Sequence, residues 1–280
     1  MNGAGNDFII LNNLVEHIPH QRFPAIARTL CHRRLSIGAD GLMVIEEARQ
    51  GGDFRMLFYN SDGSQGEMCG NGARCICRYG CENGLAGETQ RVESPSGIVT
   101  GARIDKRDYR IRLTDPTLID LDRPAQALGQ TWQCAYVELG DPGLPHAAVP
   151  CPGLAHRDRE ELRELGRALR HAAAFPKGAN VNFYDVRSPQ AILELTYERG
   201  VEDFTYACGT GSGSTVLALT LLGKVTGEDV AVSVPGGALR VTIHREGEAV
   251  KAVWLTGPTK LVCEGEVLDE ELDEALDKEI

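Results

Sequence analysis

Two short segments hold most of the residues capable of chemistry: Cys69-Gly70-Asn71-Gly72-Ala73 and Cys208-Gly209-Thr210-Gly211-Ser212. Each sets a thiol ahead of a glycine-rich turn, and each runs into an apolar helical pattern. The first N–H groups of a helix have no partner inside it, and the helix dipole adds partial positive charge there. A cysteine at that place is expected to have its thiolate stabilised, with a pKa below the usual ~8.5. Glycines beside it let an anionic group approach the bare N–H groups closely. Each segment therefore offers a reactive thiol together with an anion cradle. With one sulfur on each face of an α-carbon, a thiolate removes the α-proton and a thiol delivers another to the opposite face. That inverts the centre, and the oriented N–H groups stabilise the enediolate charge as it develops on the substrate carboxylate.

The same residues admit other readings. A glycine-rich turn opening a helix also suits a nucleotide-binding module. Neither segment continues as G-x-x-x-x-G-K-[ST], and Gly209-Thr210-Gly211-Ser212-Gly213 misses the dinucleotide spacing by one residue. A zinc-stabilised module would use Cys69, Cys75, Cys77 and Cys81, but their spacing is not that of a knuckle or finger, so no metal is expected. The nine cysteines are an odd number scattered along the chain, with no secretory signal at its start, which does not describe a disulfide framework. A reducing cytoplasm is the expected setting. The net charge of −11 repels phosphate backbones, and no basic stripe offsets it, so nucleic acid is excluded as a partner. No apolar run approaches the ~18 residues needed to span a bilayer, so no membrane association is expected.

The two cysteine segments lie about half the chain apart, and other matches recur at nearly the same separation. Gly38-Ala39-Asp40 returns as Gly178-Ala179-Asn180, and Phe54 to Asn60 as Ile192 to Glu198. Val92-Glu93-Ser94-Pro95-Ser96-Gly97 returns as Val232-Ser233-Val234-Pro235-Gly236-Gly237. Turn residues alone do not explain a conserved order, so the chain reads as a duplicated domain. A single cysteine is more often a small core hydrophobe than a catalyst. Two at equivalent places of a repeat reverse that preference.

The elements that must position these thiols follow from periodicity. Strand patterns cover 8–11, 42–45, 54–59, 109–113, 182–186, 192–197, 239–243 and 249–254. A helical stripe follows Cys69, and an almost wholly apolar helix at 214–222 follows Cys208. An amphipathic helix is predicted over 158–172, with Leu162, Leu165, Ala168, Leu169 and Ala172 inward. The acidic stretch 264–280 carries Leu268, Leu272 and Leu276 at helical spacing and is expected to form a helical tail. The fold class is α+β: two pseudo-symmetric domains, each a curved, mostly antiparallel sheet wrapped around a central helix. The expected division is 1–115 with 261–280, carrying Cys69, and 116–260, carrying Cys208.

Asn60-Ser61-Asp62-Gly63-Ser64 with Met68-Cys69-Gly70-Asn71-Gly72-Ala73-Arg74-Cys75 resembles the first cysteine signature of the diaminopimelate epimerases. Tyr197-Glu198-Arg199-Gly200 with Ala207-Cys208-Gly209-Thr210-Gly211 resembles the second. Gly3-Ala4-Gly5-Asn6-Asp7-Phe8, Gly38-Ala39-Asp40-Gly41 and Pro235-Gly236-Gly237 are also similar to that family, and the likeness runs from Met1 to about Cys263. The resemblance implies conversion of L,L-diaminopimelate to the meso form without a cofactor, on a small-molecule amino acid; the sequence does not fix the oligomeric state, and a homodimer would be unsurprising. It implies Cys69 and Cys208 as the acid–base pair, with His146 and Glu198 as polar groups near the reacting centre. Gly70, Asn71, Gly209 and Thr210 would hold the reacting carboxylate. Asn6, Asn60, Asn180 and Arg199 would recognise the substrate, Arg199 taking the distal carboxylate through its bidentate fork. One departure matters: the family carries Gly-Asn-Pro-His, whereas this chain has Gly143-Leu144-Pro145-His146, and leucine removes a polar contact. A related two-thiol racemase acting on histidine, glutamate or hydroxyproline is therefore the alternative. A phenazine-type isomerase is disfavoured because both cysteines are present.

Overall fold

The computed structural model describes residues 1–66, 70–268 and 272. The chain divides into two units, Met1–Ile111 with Pro258–Ile280, and Arg112–Gly257. In the first, β1 (Asn2–Gly3), β2 (Asn6–Asn12), β3 (Gly41–Glu46), β4 (Phe54–Asn60), β5 (Thr89–Ser94), β6 (Gly97–Arg103) and β7 (Asp108–Arg112) lie side by side in that order. Helices α1 (Asn13–Glu16) and α2 (Phe23–Leu30) join β2 to β3, and α3 (Gly70–Glu82) joins β4 to β5.

The second unit contains β8 (Pro116–Ala127), β9 (Gln130–Leu139), β10 (Leu144–Pro150), α4 (Arg159–Arg170), β11 (Asn180–Ser188) and β12 (Ala191–Glu198). These are followed by β13 (Asp203–Phe204), α5 (Gly209–Leu221), β14 (Val230–Val234), β15 (Gly237–Glu246) and β16 (Ala249–Pro258). Its sheet order is β8-β9-β10-β11-β12-β14-β15-β16, with β13 beside β12.

The duplication is visible strand by strand. From β1 the neighbouring pairs are antiparallel, parallel, antiparallel, parallel, antiparallel and antiparallel. From β9 the same sequence of senses repeats. Parallel neighbours need a crossover, and helices supply it at matching places: α2 and α4 in one pair of connections, α3 and α5 in the other. The hairpins β5–β6 and β14–β15 turn at Gly97 (φ 107) and Gly237 (φ 135), backbone conformations that a side chain would strain. Strand register refines one match. Phe8 faces Gly41 and His146 faces Asn180, so Gly41, not Asp40, is the counterpart of Asn180.

Helix α4 shows how local sequence sets an element. Asp158 caps it by accepting from the N–H groups of Glu160 (2.9 Å) and Glu161 (3.0 Å), acids occupy its first turn, and Arg167 and Arg170 its last. Leu162, Leu165 and Leu169 form its buried stripe against Val149, Phe183 and Tyr197 of the sheet. Each such leucine contributes about 2 kcal/mol through burial. Asp158→Ala orphans two N–H groups, so a loss of about 1 kcal/mol in urea unfolding is expected; an unchanged midpoint would show that water replaces the cap without cost.

The sheet of the second unit has two different faces. Residues pointing towards α4, such as Ala147, Val149, Val181, Phe183, Leu195 and Tyr197, are apolar in character and buried. Residues pointing the other way include His146, Asn180, Asn182, Glu194 and Thr196, all polar and all buried. Helix α5 covers this polar face, with Ser212 reaching Glu194. Among the described residues no helix is long and apolar enough to cross a membrane. The expected helical tail is corrected over 264–268, which form no helix; of the remainder only Leu272 is described, and it packs against the core of the first unit. Nothing in that acidic stretch before Leu268 finds an apolar surface to nucleate a turn, and Leu268 itself is 84% exposed.

Candidate active site

Cys208 is the N-cap of α5, in extended backbone conformation (φ −110, ψ 103). Its carbonyl accepts the first intrahelical bond, from the N–H of Ser212 at 2.9 Å. The N–H groups of Gly209 and Thr210 precede that bond and open the helix. The sulfur lies 3.7 Å from the Thr210 hydroxyl, and the Gly211 N–H is directed at it. Gly211 has to be glycine for close packing: a Cβ there would stand 2.4 Å from Asn182 Oδ1 and 3.2 Å from the Cys208 sulfur. Cys69 lies outside the described residues; α3 begins at Gly70, the next residue in sequence.

The expected stabilised thiolate at Cys208 is overturned. Burial pushes its pKa well up, the nearby Glu198 carboxylate pushes it further, and the hydrogen bonds from Thr210 and Gly211 oppose both without winning. The thiol is therefore the resting form. The helix-start effect has the expected sign, but it is a surface-sized contribution working against full desolvation. Burial likewise raises the Glu198 carboxyl.

The remaining predicted residues of this unit converge on the same place. His146, 1% exposed, has its pKa pushed down to about 3 by burial and by the charge of Arg199, so its ring is neutral. Its Nδ1 lies 3.4 Å from the Asn182 amide nitrogen. Asn180 Oδ1 accepts from the Arg199 backbone N–H at 2.8 Å, and its amide nitrogen reaches the Pro145 carbonyl at 3.4 Å. The Arg199 guanidinium donates to the Lys177 carbonyl at 3.0 Å, which fixes its direction.

In the first unit, Asn71 at the start of α3 is buried and donates to Asn6 Oδ1 at 2.7 Å, while Arg74 donates to Asn71 Oδ1 at 2.8 Å. Asn6 passes its own amide N–H to Asp40 at 2.9 Å, and Arg33 bridges Asp40 and Asp7. This chain of bonds fixes the orientation of both amides. Asn60 ends β4 opposite Gly41 and donates to Ser64 at 2.9 Å. By register Asn6, two residues before Phe8, corresponds to Leu144, two residues before His146. Leu144 therefore cannot make to its helix start the side-chain bond that Asn6 makes to Asn71.

The sequence model described as diaminopimelate epimerase matches residues 1–117 and 140–262 of this chain. A diaminopimelate epimerase from Chlorobaculum tepidum is 36% identical over 272 residues, spanning 95% of this chain and 99% of its own. One from Methanothrix thermoacetophila is 35% identical over 278 residues, spanning 96% and 95%. This chain belongs to the diaminopimelate epimerase family. Among solved structures, a predicted epimerase from Pseudomonas aeruginosa shares the fold with a TM-score of 0.60 at 15% identity, covering 94% of each chain. A phenazine biosynthesis protein of the PhzF family from Enterococcus faecalis does so with a TM-score of 0.57 at 13% identity, covering 89% of this chain and 88% of that one. As a member of the diaminopimelate epimerase family, the protein is an isomerase.

Sequence reasoning passed over Asn182, Glu194, Thr196 and Ser212 of this epimerase. Thr196 donates to Asn182 Oδ1 at 3.0 Å, and Ser212 donates to the Glu194 carboxylate. Their signal was present as period-two alternation. Asn180 and Asn182 share one face of β11, and Glu194, Thr196 and Glu198 share one face of β12.

Proposed function

We propose that this protein converts L,L-diaminopimelate to meso-diaminopimelate without a cofactor, using Cys69 and Cys208 as an acid–base pair. The observation that carries this reading is Cys208 at the mouth of α5, with Glu198, His146, Asn180 and Arg199 gathered around it in one unit. The reacting carboxylate is held by N–H groups of Gly209 and Thr210, and by those of Gly70 and Asn71. Negative charge grows on that carboxylate as the α-proton leaves, so preorganised donors bind the transition state more tightly than the ground state. Cys208 rests protonated and serves as the proton donor; Cys69 is the base in that direction, and the roles exchange in reverse. Neutral His146 contributes as a hydrogen-bonding ring, since a group with a pKa of about 3 takes up no proton at neutral pH. Asn6, Asn60, Asn180 and Arg199 recognise the substrate, with Arg199 on the distal carboxylate. A reducing cytoplasm keeps both thiols free, and the small-molecule substrate is the partner the chemistry requires.

Leu144 at the register position of Asn6 favours a second reading, a two-thiol racemase for another amino acid such as histidine, glutamate or hydroxyproline. Both readings are tested by following deuterium entry from solvent at the α-carbon, with reduced, metal-free protein and a substrate panel. Exchange and inversion of diaminopimelate are expected. Turnover of another amino acid alone would assign the changed specificity to Leu144, and no exchange with any amino acid would refute the two-thiol reading.

A further inference from the structure

The duplicated sheets match in topology but not in what they place beneath their central helices. Gly72 of α3 and Gly211 of α5 sit at equivalent positions. A Cβ on the first would meet Met43 at 2.2 Å, and on the second Asn182 at 2.4 Å. Met43 faces Phe58 across β3 and β4, while Asn182 faces Thr196 across β11 and β12. Two residues back along each second strand come Met56 and Glu194, and the adjoining strands contribute Phe8 and His146. One half thus packs Phe8, Met43, Met56 and Phe58 under its helix. The other packs His146, Asn182, Glu194 and Thr196, an equally buried but polar set.

Glu194 is the ionisable member of that set that the proposed reaction does not use. It is 1% exposed and is held by the Ser212 hydroxyl. Ser212 is also the residue whose backbone N–H closes the first turn on the Cys208 carbonyl. We propose that Glu194 is a positioning residue for Cys208: through Ser212 it holds the first turn of α5, and through its charge it opposes formation of the Cys208 thiolate. The two halves of the duplication are therefore chemically unequal, because Met56 occupies the equivalent place under α3. The titratable groups around Glu194 are Glu198 on its own strand, Cys208 at the start of α5, and His146 on β10 with Arg199 beyond it. Burial raises the Glu194 pKa to about 7, so its charge varies across the neutral range. Both carboxylates act on Cys208 in the same direction, Glu198 more strongly.

The inference rests on Cys208 being a reactive thiol, but its test needs no substrate, so its failure is separable from failure of the epimerase reading. Native, reduced full-length protein is treated with iodoacetamide between pH 6 and 10, and tryptic peptides are quantified by mass spectrometry. The fragment 200–224 holds Cys208 as its sole cysteine, and the fragment 56–74 holds Cys69 alone. Glu194→Gln keeps an acceptor for Ser212 and removes the charge. At a fixed pH between 8 and 10, where Glu194 is charged and Cys208 is still mostly a thiol, its Cys208 labelling is expected to be about threefold faster, equivalent to a midpoint lower by about half a pH unit. Glu194→Asp, which keeps the ionisable carboxyl, is expected to retain the wild-type midpoint. An unchanged midpoint in Glu194→Gln would overturn the proposal. So would equal shifts in the Gln and Asp variants, or a rise shared equally by the Cys69 peptide, since each of these reports loosened structure and not charge.

Discussion

Cys208→Ala is expected to lower the rate of stereochemical inversion by about 10⁴-fold while leaving the fold in place. Inversion needs a proton donor on the face opposite the base, and an alanine methyl group has no proton to give. A positioned acid or base contributes roughly 10² to 10⁴ in rate, and a buried methyl group does not admit water in the geometry of the lost sulfur. The second thiol is untouched, so one isomer retains slow exchange of its α-proton with solvent, the proton returning to the face it left. Chiral chromatography of the products, with proton NMR for exchange, separates these two events. The thermal midpoint should move by a few degrees at most, because a small buried group is replaced by another of similar size. Inversion above a tenth of the wild-type rate would remove Cys208 from the chemistry.

A second large effect is expected in stability, when Glu194→Gln and wild type are compared across pH. The Glu194 carboxyl titrates near 7 in the native protein against an ordinary value of 4.5. Between those values the native state binds more protons than the unfolded chain, so its stability is fully present below 4.5 and declines as pH rises through 7. The decline is about 1.4 kcal/mol per pH unit, about 3 kcal/mol in full. Glutamine does not titrate, so the difference between variant and wild type should move by that amount in favour of the variant from pH 4.5 to 8. His146 works in the opposite sense. Its native pKa of about 3 lies below the ordinary 6.5, so the native state binds fewer protons there and gains stability as pH rises through that window. That contribution is common to both proteins and drops out of the difference. Urea unfolding at four or five pH values measures the result, and a pH-independent difference would mean that the carboxyl titrates at its ordinary value.

Much of this architecture could be read from residue order. The duplication was legible because glycine and proline mark turns that a repeat must preserve, as at Gly97 and Gly237. Helix α4 was legible because a cap, a charge gradient and a leucine stripe all agree. The polar face under α5 was not recognised, because Asn182, Glu194 and Thr196 each look like ordinary strand residues when taken singly. Only the alternation of Asn180 with Asn182, and of Glu194, Thr196 and Glu198, puts them on one surface, and only the covering helix makes that surface buried. The protonation of Cys208 was misjudged for a related reason. Sequence shows which dipoles lie beside a thiol, whereas desolvation depends on the three-dimensional packing around it. The tail departs from expectation only over 264–268, where the residues stay exposed, whereas Leu272 beyond them packs against the core of the first unit.

The bonds that close the first unit come from opposite ends of the chain. The Asn2 N–H donates to the Lys260 carbonyl at 2.8 Å and the Lys260 N–H to that of Asn2 at 2.7 Å. Arg78 of α3 donates to the Thr259 carbonyl at 2.9 Å, and the Thr259 N–H to the Arg107 carbonyl at 2.8 Å. Residues 112–257, by contrast, form a unit from one unbroken stretch. On the ribosome, where a chain emerges at about 5–20 residues per second, the N-terminal half waits for its last segment while the later half already has all of its strands. The half synthesised first is thus the last to be completed.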